Sequence, residues 1–213
     1  MRPEVVWSAA GEVVAVEEAL NARSRRTRAA VLDAARAIVE AEGFPALTMG
    51  RVAERAGVSR RALYLHVASR TELVTALFAH VNEETGLEES VRRVWEAPDA
   101  AAALEEWAGH VARVHPQVSA SLRAVDQVRG TDPDAERLWQ LTMRDWYAGC
   151  LRLARWLDRE GRLAEPWTTR TVADMLWTLM SYDVVERLVV ERRWSTARLA
   201  EHLAALMRRT FQG

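Results

Sequence analysis

Apolar residues recur at the spacing of an α-helix along almost the whole chain. Val31, Ala35, Ile38 and Val39 follow this spacing until Gly43, a residue type that commonly ends helices. The chain has no alternating run rich in Val, Ile and Thr and bounded by turn residues, which would indicate a strand. The pattern therefore predicts an all-α protein.

Short-range signals divide the next stretch into further helices. Thr48 and Ser59 are suited to cap two short helices, because their side chains accept hydrogen bonds from free N–H groups at a helix start. Gly57 ends the first of these helices. Ser69 and Glu72 form the Ser-x-x-Glu pattern of a capping box and predict a fourth helix. The later predicted breaks, which define about five more helices, are Pro98–Asp99, Pro116, Gly130–Pro133, Gly161–Pro166 and Trp194–Ser195.

The two short helices have the composition of a helix-turn-helix unit. Ala53 is small enough for two helices to cross closely, and Gly57 tolerates the positive φ that favours a tight turn. Val58 and Leu63 supply apolar anchors that hold the second helix against the first.

The outer side of that second helix carries Arg60, Arg61, Tyr64 and His66. A short helix with such a face fits the major groove of B-DNA, which is about 12 Å wide. Taken alone, an arginine pair on a helix is more often only a solvated face. Tyr64 also fits a partly buried position with an exposed hydroxyl.

Residues 47–78, LTMGRVAERAGVSRRALYLHVASRTELVTALF, resemble the DNA-binding domain of TetR-family transcriptional regulators. Val67 departs from the Phe that the family usually carries, which should reduce packing beneath the second short helix, and Arg70 replaces the common Lys. With the preceding helix the resemblance covers about residues 24–80, and it favours DNA contact for the arginine pair. The positions that match in order are Val52-Ala53, Ala56-Gly57-Val58-Ser59, Leu63-Tyr64, His66, Arg70 and Glu72-Leu73.

The resemblance implies specific contacts with DNA. Ser59 and Tyr64 are expected to donate hydrogen bonds to phosphates, and Arg60 and Arg61 to reach base edges, because arginine can bond guanine O6 and N7 together. The other candidates for phosphate contact are Thr48, His66 and Arg70. A basic cluster that either follows the DNA backbone or is only a solvated helix start consists of Arg23, Arg25, Arg26 and Arg28.

Charge is concentrated in the same region. The chain has a net charge of −1, yet residues 21–70 hold ten arginines and four acidic residues, whereas residues 71–213 hold 18 arginines and 22 acidic residues. A basic segment before a mildly acidic body suggests two functional units. A single cysteine, no apolar run of about 20 residues and no signal peptide favour a cytoplasmic protein that does not enter the membrane.

The body is rich in tryptophan, with seven of the nine Trp between residues 107 and 194. Trp139, Met143, Trp146 and Cys150 fall on one predicted helix face, a pattern that usually belongs to an ordinary core. Aromatic and methionine side chains also line cavities for flat apolar molecules, and the family resemblance implies such a cavity. The candidate ligand-binding residues are Trp107, His110, Val111, Met143, Trp146, Tyr147, Cys150 and Trp177.

The last two predicted helices, about residues 168–190 and 195–211, are apolar on more than one side. Val172 and Leu176 face one way, whereas Leu199 and Leu203 extend the apolar surface further round. A helix that is apolar on two sides is buried on two sides, so we expect a homodimer through about residues 168–211. Two recognition helices can then lie one DNA turn apart, about 34–36 Å.

These patterns together predict a helix-turn-helix DNA-binding domain of three helices at residues 24–70 and a larger helical ligand-binding and dimerisation domain at residues 71–213. Residues 1–23 are expected to be an extension, either a mobile tail or a helix resting on the body.

The predicted function is that of a transcriptional regulator, more specifically a repressor that binds a palindromic double-stranded DNA operator and is released by a small apolar or aromatic effector. A DNA-binding regulator without a ligand is the alternative. An all-helical enzyme is disfavoured, because the chain has no Gly-rich phosphate loop, no Gly-x-Ser-x-Gly and no His-x-x-x-His spacing. We expect no catalytic residue, no cofactor and no metal.

Overall fold

The computed structural model describes the backbone of residues 9–213 and the side chains from residue 22 onward. Within this part of the chain the predicted all-α fold is confirmed, and the only β contact is an isolated bridge between Leu163 and Gln212. A 3₁₀ turn lies at Phe44–Ala46 and a π-helical turn at Arg187–Glu191. The helices are α1 Ala9–Glu42, α2 Met49–Arg55, α3 Arg60–Tyr64, α4 Arg70–Glu84, α5 Leu87–Trp95, α6 Ala100–Asp126, α7 Pro133–Arg159, α8 Thr169–Leu179, α9 Tyr182–Glu186 and α10 Thr196–Phe211.

Helix α1 begins earlier than the apolar pattern predicts. It starts at Ala9, whereas the pattern predicts a first helix from about residue 24. Residues 12–42 contain neither Gly nor Pro, so nothing interrupts the helical hydrogen bonds of this stretch. The predicted extension is therefore helical from residue 9 onward, and residues 1–8 lie outside the described residues.

Helices α2 and α3 form the predicted helix-turn-helix. Thr48 caps α2, and its Oγ1 accepts a hydrogen bond from the Arg51 N–H. Gly57 takes a φ of +66° in the turn, in the left-handed region that L side chains rarely adopt. Ser59 then caps α3, and its Oγ accepts a hydrogen bond from the Ala62 N–H.

A closed apolar core holds this unit together. Leu63 of α3 and Ala53 of α2 are buried against Ile38 of α1. Val67 is 1% exposed, so the smaller side chain that replaces the family's Phe is still fully enclosed. Each large apolar side chain buried in this way contributes about 1.5–3 kcal/mol.

Helix α4 connects the helix-turn-helix to the body and begins where the capping pattern predicts. The Ser69 hydroxyl accepts a hydrogen bond from the Glu72 N–H. The Glu72 carboxylate accepts one from the Ala68 N–H at 2.7 Å, one residue earlier than in a standard capping box. Gly86, at a φ of +64°, separates α4 from α5, a break that the sequence pattern did not predict.

Helix α6 runs through the centre of the body and contacts α5, α7, α9 and α10. The predicted break at Pro116 is wrong, because this residue lies inside α6. Proline removes one backbone donor, and burial of α6 against helices on several sides outweighs that loss. The predicted breaks at residues 98–99, 130–133, 161–166 and 194–195 all separate helices.

The predicted helix at about residues 168–190 is interrupted at Met180–Ser181, between α8 and α9. Leu199 and Leu203 are buried in the core of the same chain, where α10 packs on α6. They are therefore not available to a second chain. The large apolar side chains that this region leaves exposed are Met175, Trp177, Val190 and Leu206.

The apolar core of the helix-turn-helix continues into the body. Val118 and Leu122 of α6 and Ala135 of α7 belong to the same buried cluster as Leu63 and Leu73. The two parts of the chain are thus packed on each other as well as joined by α4. Among the described residues, no helix is long and apolar enough to cross a membrane.

Candidate nucleic-acid interface and cavity

The outer face of α3 exposes a compact set of polar and apolar groups. Arg60 and Arg61 begin the helix, and Tyr64 at its end is 51% exposed. Leu65, the next residue, is 79% exposed and was not among the predicted contact residues. It lies four residues after Arg61, the helical spacing that places two residues on one face.

The two capping hydroxyls of this unit can serve two purposes at once. The oxygen atoms of Thr48 and Ser59 each accept a backbone hydrogen bond. A hydroxyl also has one proton to donate, so both groups keep a donor for a phosphate oxygen. Their capping role is therefore compatible with the predicted phosphate contacts.

The arginines of α2 and α3 differ in their partners. Arg51 and Arg55 of α2 pair with the Glu42 carboxylate, whereas Arg60 and Arg61 have no carboxylate within ion-pair distance among the described residues. The Arg60 guanidinium folds back along α2, where Nη2 lies 2.9 Å from the point that a Cβ on Gly50 would occupy. Arg61 and Arg60 thus keep their charge for an external partner.

Helix α1 reaches the end of α3 through Arg28. Its Nη1 donates a hydrogen bond to the His66 carbonyl oxygen at 2.8 Å. The side chain of Arg25 is exposed one turn earlier on α1, and that of His66 is half-buried. The predicted contact residues of α1 and α3 therefore lie at neighbouring positions on the surface.

Arg70, another predicted DNA-contact residue, lies away from the α3 face, between α4 and α7. Its Nη2 is 2.7 Å from Asp132 Oδ2, and its Nη1 is 2.8 Å from Asp134 Oδ2. Its Nε donates to the Leu47 carbonyl oxygen at 2.9 Å, and its guanidinium lies over the Phe44 ring. Two carboxylates of the α7 start thus pair with Arg70 and hold it between α4 and α7. Its phosphate contact stays a prediction, and these internal contacts do not favour it. We refer to Arg70, Asp132 and Asp134 as the α4–α7 clasp.

The pKa values of the clasp follow this arrangement. Burial lowers the pKa of Arg70, but hydrogen bonds and charge from Asp132 and Asp134 outweigh it and raise the pKa overall. Burial acts against ionisation of Asp132, and the bond from Arg70 reverses the effect, so the pKa of Asp132 is lowered. Arg70 and Asp132 therefore both carry their charge near pH 7.

A cavity of about 620 Å³ lies among α4, α5, α6 and α7. Trp95 of α5, Trp107 of α6 and Trp146 of α7 give it aromatic surfaces, and Met180 after α8 also lines it. Phe78 of α4 contributes to the same lining. A largely apolar cavity of this volume suits a drug-sized molecule.

Three of the predicted ligand-binding residues, Trp107, His110 and Trp146, line this cavity. Trp177 lies on α8 and is 38% exposed, and Val111 is buried in the core. The predicted residues that do not line the cavity are Val111, Met143, Tyr147, Cys150 and Trp177.

The rotation of α7 explains most of this difference. Its cavity side is centred near Asp145, and Met143 and Cys150 lie about 140–160° away round a helix of 3.6 residues per turn. Cys150 Sγ instead lies 3.4 Å from Met180 Sδ, and burial raises the pKa of the thiol. The Tyr147 hydroxyl donates to Asp174 Oδ1 at 3.1 Å. Within the predicted stripe Cys150 is buried in the core, Trp139 and Met143 are half-buried, and only Trp146 lines the cavity.

Two histidines of α6 line the cavity, and sequence reasoning identified only His110. Its Nδ1 lies 3.1 Å from Ser90 Oγ, which also accepts from Arg113 Nε at 3.1 Å. The Ser90 hydroxyl is left to donate to His110. His115 follows five residues later and so lies on a different face of α6, but the cavity extends round more than one face of this helix.

Burial keeps both imidazoles neutral. Burial lowers the pKa of His110 to about 4, and the charge of Arg113 lowers it further. Burial lowers the pKa of His115 to about 3, with a smaller effect of His110 in the same direction and an opposing hydrogen bond to the Met180 backbone. The two histidines therefore offer the cavity neutral hydrogen-bonding groups at pH 7.

One cluster of potential metal ligands lies between α1 and α4, away from the cavity. Asp33, His80 and Glu84 bring their ligand atoms within 4.8 Å of one another. His80 Nε2 is 2.8 Å from Asp33 Oδ1, and Arg36 pairs with Glu84 at 2.6 Å. The hydrogen bond to His80 and the ion pair with Arg36 thus give both carboxylates partners within the protein.

The sequence similarity to known proteins includes the helix-turn-helix. The model for the tetR family of bacterial regulatory proteins matches residues 31–77, from the middle of α1 into α4. The HTH-type transcriptional regulator TtgW of Pseudomonas putida is 32% identical over 80 residues, which cover 36% of this chain and 60% of TtgW.

The resemblance of this region to the TetR family is thus confirmed.

Solved structures extend the likeness from the TetR-type domain to the fold of most of the chain. NalD of Pseudomonas aeruginosa, the secondary repressor of the MexAB-OprM multidrug efflux pump, has a TM-score of 0.69 at 19% identity and covers 89% of this chain and 98% of its own. A protein of Saccharomonospora viridis, described as a transcriptional regulator and solved with choline, has a TM-score of 0.69 at 16% identity and covers 89% of this chain and 99% of its own. The predicted order, a TetR-type helix-turn-helix before a larger helical domain, is thus confirmed.

Proposed function

We propose that this protein is a transcriptional regulator that binds a palindromic operator as a dimer and leaves it when a small apolar or aromatic effector enters the cavity. The observation that carries the proposal is the position of α4. This helix begins directly after the helix-turn-helix and also lines the cavity, for example with Phe78. Repression is the simplest outcome, because a bound dimer obstructs transcription until the effector releases it.

The DNA-binding part of the proposal rests on α3 and on the family match. Arg60 and Arg61 are exposed, carry no internal ion pair among the described residues and follow the capping hydroxyl of Ser59. Guanidinium groups in this position can bond the O6 and N7 atoms of guanine in the major groove. Tyr64 and Leu65 extend the same exposed face.

The α4–α7 clasp supports the link between effector and DNA. Asp134 pairs with Arg70 at the start of α4 and also lines the cavity. A guest that shifts α7 therefore acts on the residue from which α4 leaves the helix-turn-helix. The effector changes operator affinity only by its differential affinity for the two arrangements, typically 5- to 150-fold.

The dimer part of the proposal rests on residues 168–211. Of the seven large apolar side chains that are exposed among residues 22–213, four lie in this range. They are Met175, Trp177, Val190 and Leu206. Exposed apolar groups concentrated in one region favour contact with a second chain.

The test uses DNA from either side of the gene for this chain, in a mobility-shift assay. Arg61→Ala should weaken binding to the retarded fragment about 5- to 150-fold, because one good base contact is worth about 1–3 kcal/mol. Arg159→Ala, at an exposed arginine of the α7 end, is the matched control and should bind as the wild type. Leu206→Glu should weaken binding by preventing dimer formation.

Two outcomes would contradict the proposal. If no flanking fragment is retarded, the operator is not there and the regulator role loses its support. If Arg61→Ala and Arg159→Ala weaken binding equally, α3 does not read the operator. A wild-type mass near 24 kDa by light scattering at micromolar concentration would exclude the dimer.

A further inference from the structure

Two buried nitrogen atoms beside the cavity have no hydrogen-bond partner among the described residues. They are Nδ1 of His115 and Nε1 of Trp107. Both side chains line the cavity, and they are only 1% and 2% exposed. Buried polar groups are normally hydrogen-bonded, so each unpaired group needs an explanation. A ligand that pairs with these two atoms when it binds would provide one.

The two atoms require opposite partners. The indole Nε1 carries a hydrogen and can only donate. His115 is neutral, and a hydrogen bond to the Met180 backbone raises its pKa, which requires a ring N–H that donates. Because Nδ1 has no partner, we assign this donor to Nε2. The unpaired Nδ1 of His115 is therefore an acceptor. A guest that pairs with both must bring one donor and one acceptor.

The surrounding side chains favour a flat guest. Trp95 and Trp107 have ring centroids 5.8 Å apart, and Trp146 lies over His115 at 4.6 Å with an interplanar angle of 31°. Trp146 is only partly buried, and both it and His115 line the cavity. Aromatic surfaces at these separations gain from offset or edge contacts with another ring.

The charged lining residues give no preference for an ion. Asp134, Arg137, Asp145 and Arg152 all lie on α7 and sum to zero charge. Arg152 is also occupied, because its guanidinium lies 4.0 Å from the centroid of the Trp95 ring. The groups on α6, including His110 and His115, are uncharged at pH 7.

We propose that the cavity binds a flat, uncharged aromatic molecule with a hydrogen-bond donor for His115 Nδ1 and an acceptor for the Trp107 N–H. This inference rests on the proposed effector role of the cavity. A phenol or an aromatic amide has this chemistry. The donor decides selectivity, because without it the buried imidazole nitrogen stays unpaired when the cavity is filled.

The test measures binding of four probes of similar outline by equilibrium dialysis against the full chain, without DNA. The probes are 2-naphthol, 2-methoxynaphthalene, naphthalene and 2-naphthyltrimethylammonium. We expect 2-naphthol to bind about tenfold more tightly than its methyl ether, which has lost the donor. The cationic probe should bind more weakly than 2-naphthol.

The variants assign the effect to named atoms. In His115→Phe the difference between 2-naphthol and its methyl ether should vanish, whereas in His202→Phe, on α10 outside the cavity, it should persist. In Trp107→Phe the difference between 2-methoxynaphthalene and naphthalene should vanish. The wild-type series is informative even where a variant does not fold.

Several results would overturn the inference: equal binding of 2-naphthol and its methyl ether, tighter binding of the ammonium probe, a preference that survives in His115→Phe, or no binding of any probe below 1 mM (about 4 kcal/mol of affinity). With operator binding intact, these results would reject only the ligand class. Failure of operator binding in the mobility-shift assay would instead reject the proposed function and leave the dialysis result standing.

Discussion

The helix-turn-helix and the helical body differ in how they fill their interiors. Beneath α3, Leu63 and Val67 are 0% and 1% exposed, and the capping hydroxyls of Thr48 and Ser59 have backbone partners. Between α4 and α7 the same chain leaves a cavity of about 620 Å³. Beside it, nitrogen atoms of His115 and Trp107 have no partner. The packed core beneath α3 stabilises the fold by itself, whereas the cavity and its unpaired nitrogen atoms can gain contacts only when a ligand binds.

The exposed apolar residues follow the same division. Among residues 22–213, Tyr64 and Leu65 lie on the α3 face, Leu141 lines the cavity, and the other four lie between residues 168 and 211. Each group coincides with a surface for which we propose a partner: DNA, an effector or a second chain. The buried apolar side chains therefore stabilise the fold, whereas the exposed ones lie where we propose that partners bind.

The largest expected effect concerns the closed core. Leu63→Ala should lower the free energy of unfolding by about 2–5 kcal/mol, because it leaves a void that the surrounding helices only partly close. Leu141→Ala, at a position lining the cavity that is 41% exposed, should change it by about 0.5 kcal/mol or less. Urea unfolding followed by circular dichroism measures both. Similar losses would mean that the two interiors are packed alike.

The second prediction uses the buried histidines. Their folded pKa values, about 4 for His110 and about 3 for His115, lie below the unfolded value of about 6.5. The unfolded chain therefore binds more protons between these values, and stability falls as the pH is lowered from about 6.5 to about 4. Each histidine contributes about 1.4 kcal/mol per pH unit once its unfolded form is protonated.

Urea midpoints at pH 7, 6 and 5 test this slope. His115→Phe should fold with a shallower pH dependence than the wild type, because only His110 then differs between the folded and unfolded chains. The acidic side chains with lowered pKa values, such as Asp132, titrate below this window and leave the comparison clear. An unchanged slope in the variant would mean that His115 is not held neutral.

A third prediction concerns Gly149, which packs directly against the Trp107 ring at the cavity wall. A Cβ at this position would lie 2.7 Å from Trp107 Cη2. Gly149→Ala should therefore force the indole to move and cost about 1–3 kcal/mol, the usual range for overpacking. Gly130→Ala, where nothing lies within 4 Å of the added Cβ, is the matched control and should be near neutral.

Thermal unfolding and probe binding distinguish the causes. If Gly149→Ala lowers stability and weakens 2-naphthol binding, the glycine keeps the cavity open. Unchanged stability with normal binding would show that the indole moves freely and that the tight contact has no consequence.

The smallest expected effect concerns the α4–α7 clasp. A double-mutant cycle with Arg70→Leu and Asp134→Asn should give a coupling energy of about 1 kcal/mol, because the pair is partly buried and hydrogen-bonded. The exposed pair Arg144 and Asp145, about 70% accessible on both sides, should couple by close to zero. Equal coupling in the two pairs would remove the clasp from the proposed link between effector and DNA.

The sequence predicted the helix-turn-helix closely because its determinants are local. Thr48, Gly57, Ser59 and Ser69 each act within four residues of their own position, through caps and a turn. The order of such residues can be read without knowledge of distant contacts. For Arg60, Arg61 and Tyr64 the sequence also predicted exposure correctly.

Prediction was poorer where the contacts of a residue depend on segments that are distant in the sequence. The face of α7 that lines the cavity is rotated away from the tryptophan and methionine stripe, because Cys150 on that stripe packs in the core of the body. Only Trp146 borders both the core and the cavity. The sequence could not predict the internal partners of Arg70, because Asp132 and Asp134 lie more than 60 residues later in the chain. Pro116 looked like a break, yet α6 continues through it.

The sequence by itself determined the helical class, the caps and turn of the TetR-type domain and the exposed arginines of α3, because these depend on backbone geometry and nearby side chains. Only the tertiary structure decided which side of each body helix lines the cavity, which charges pair across 60 residues, and that His115 and Trp107 keep unpaired nitrogen atoms. Helical periodicity predicts that two residues lie on the same face of a helix, but it does not predict which other helices or cavities that face contacts. That depends on the positions of all the other helices at once.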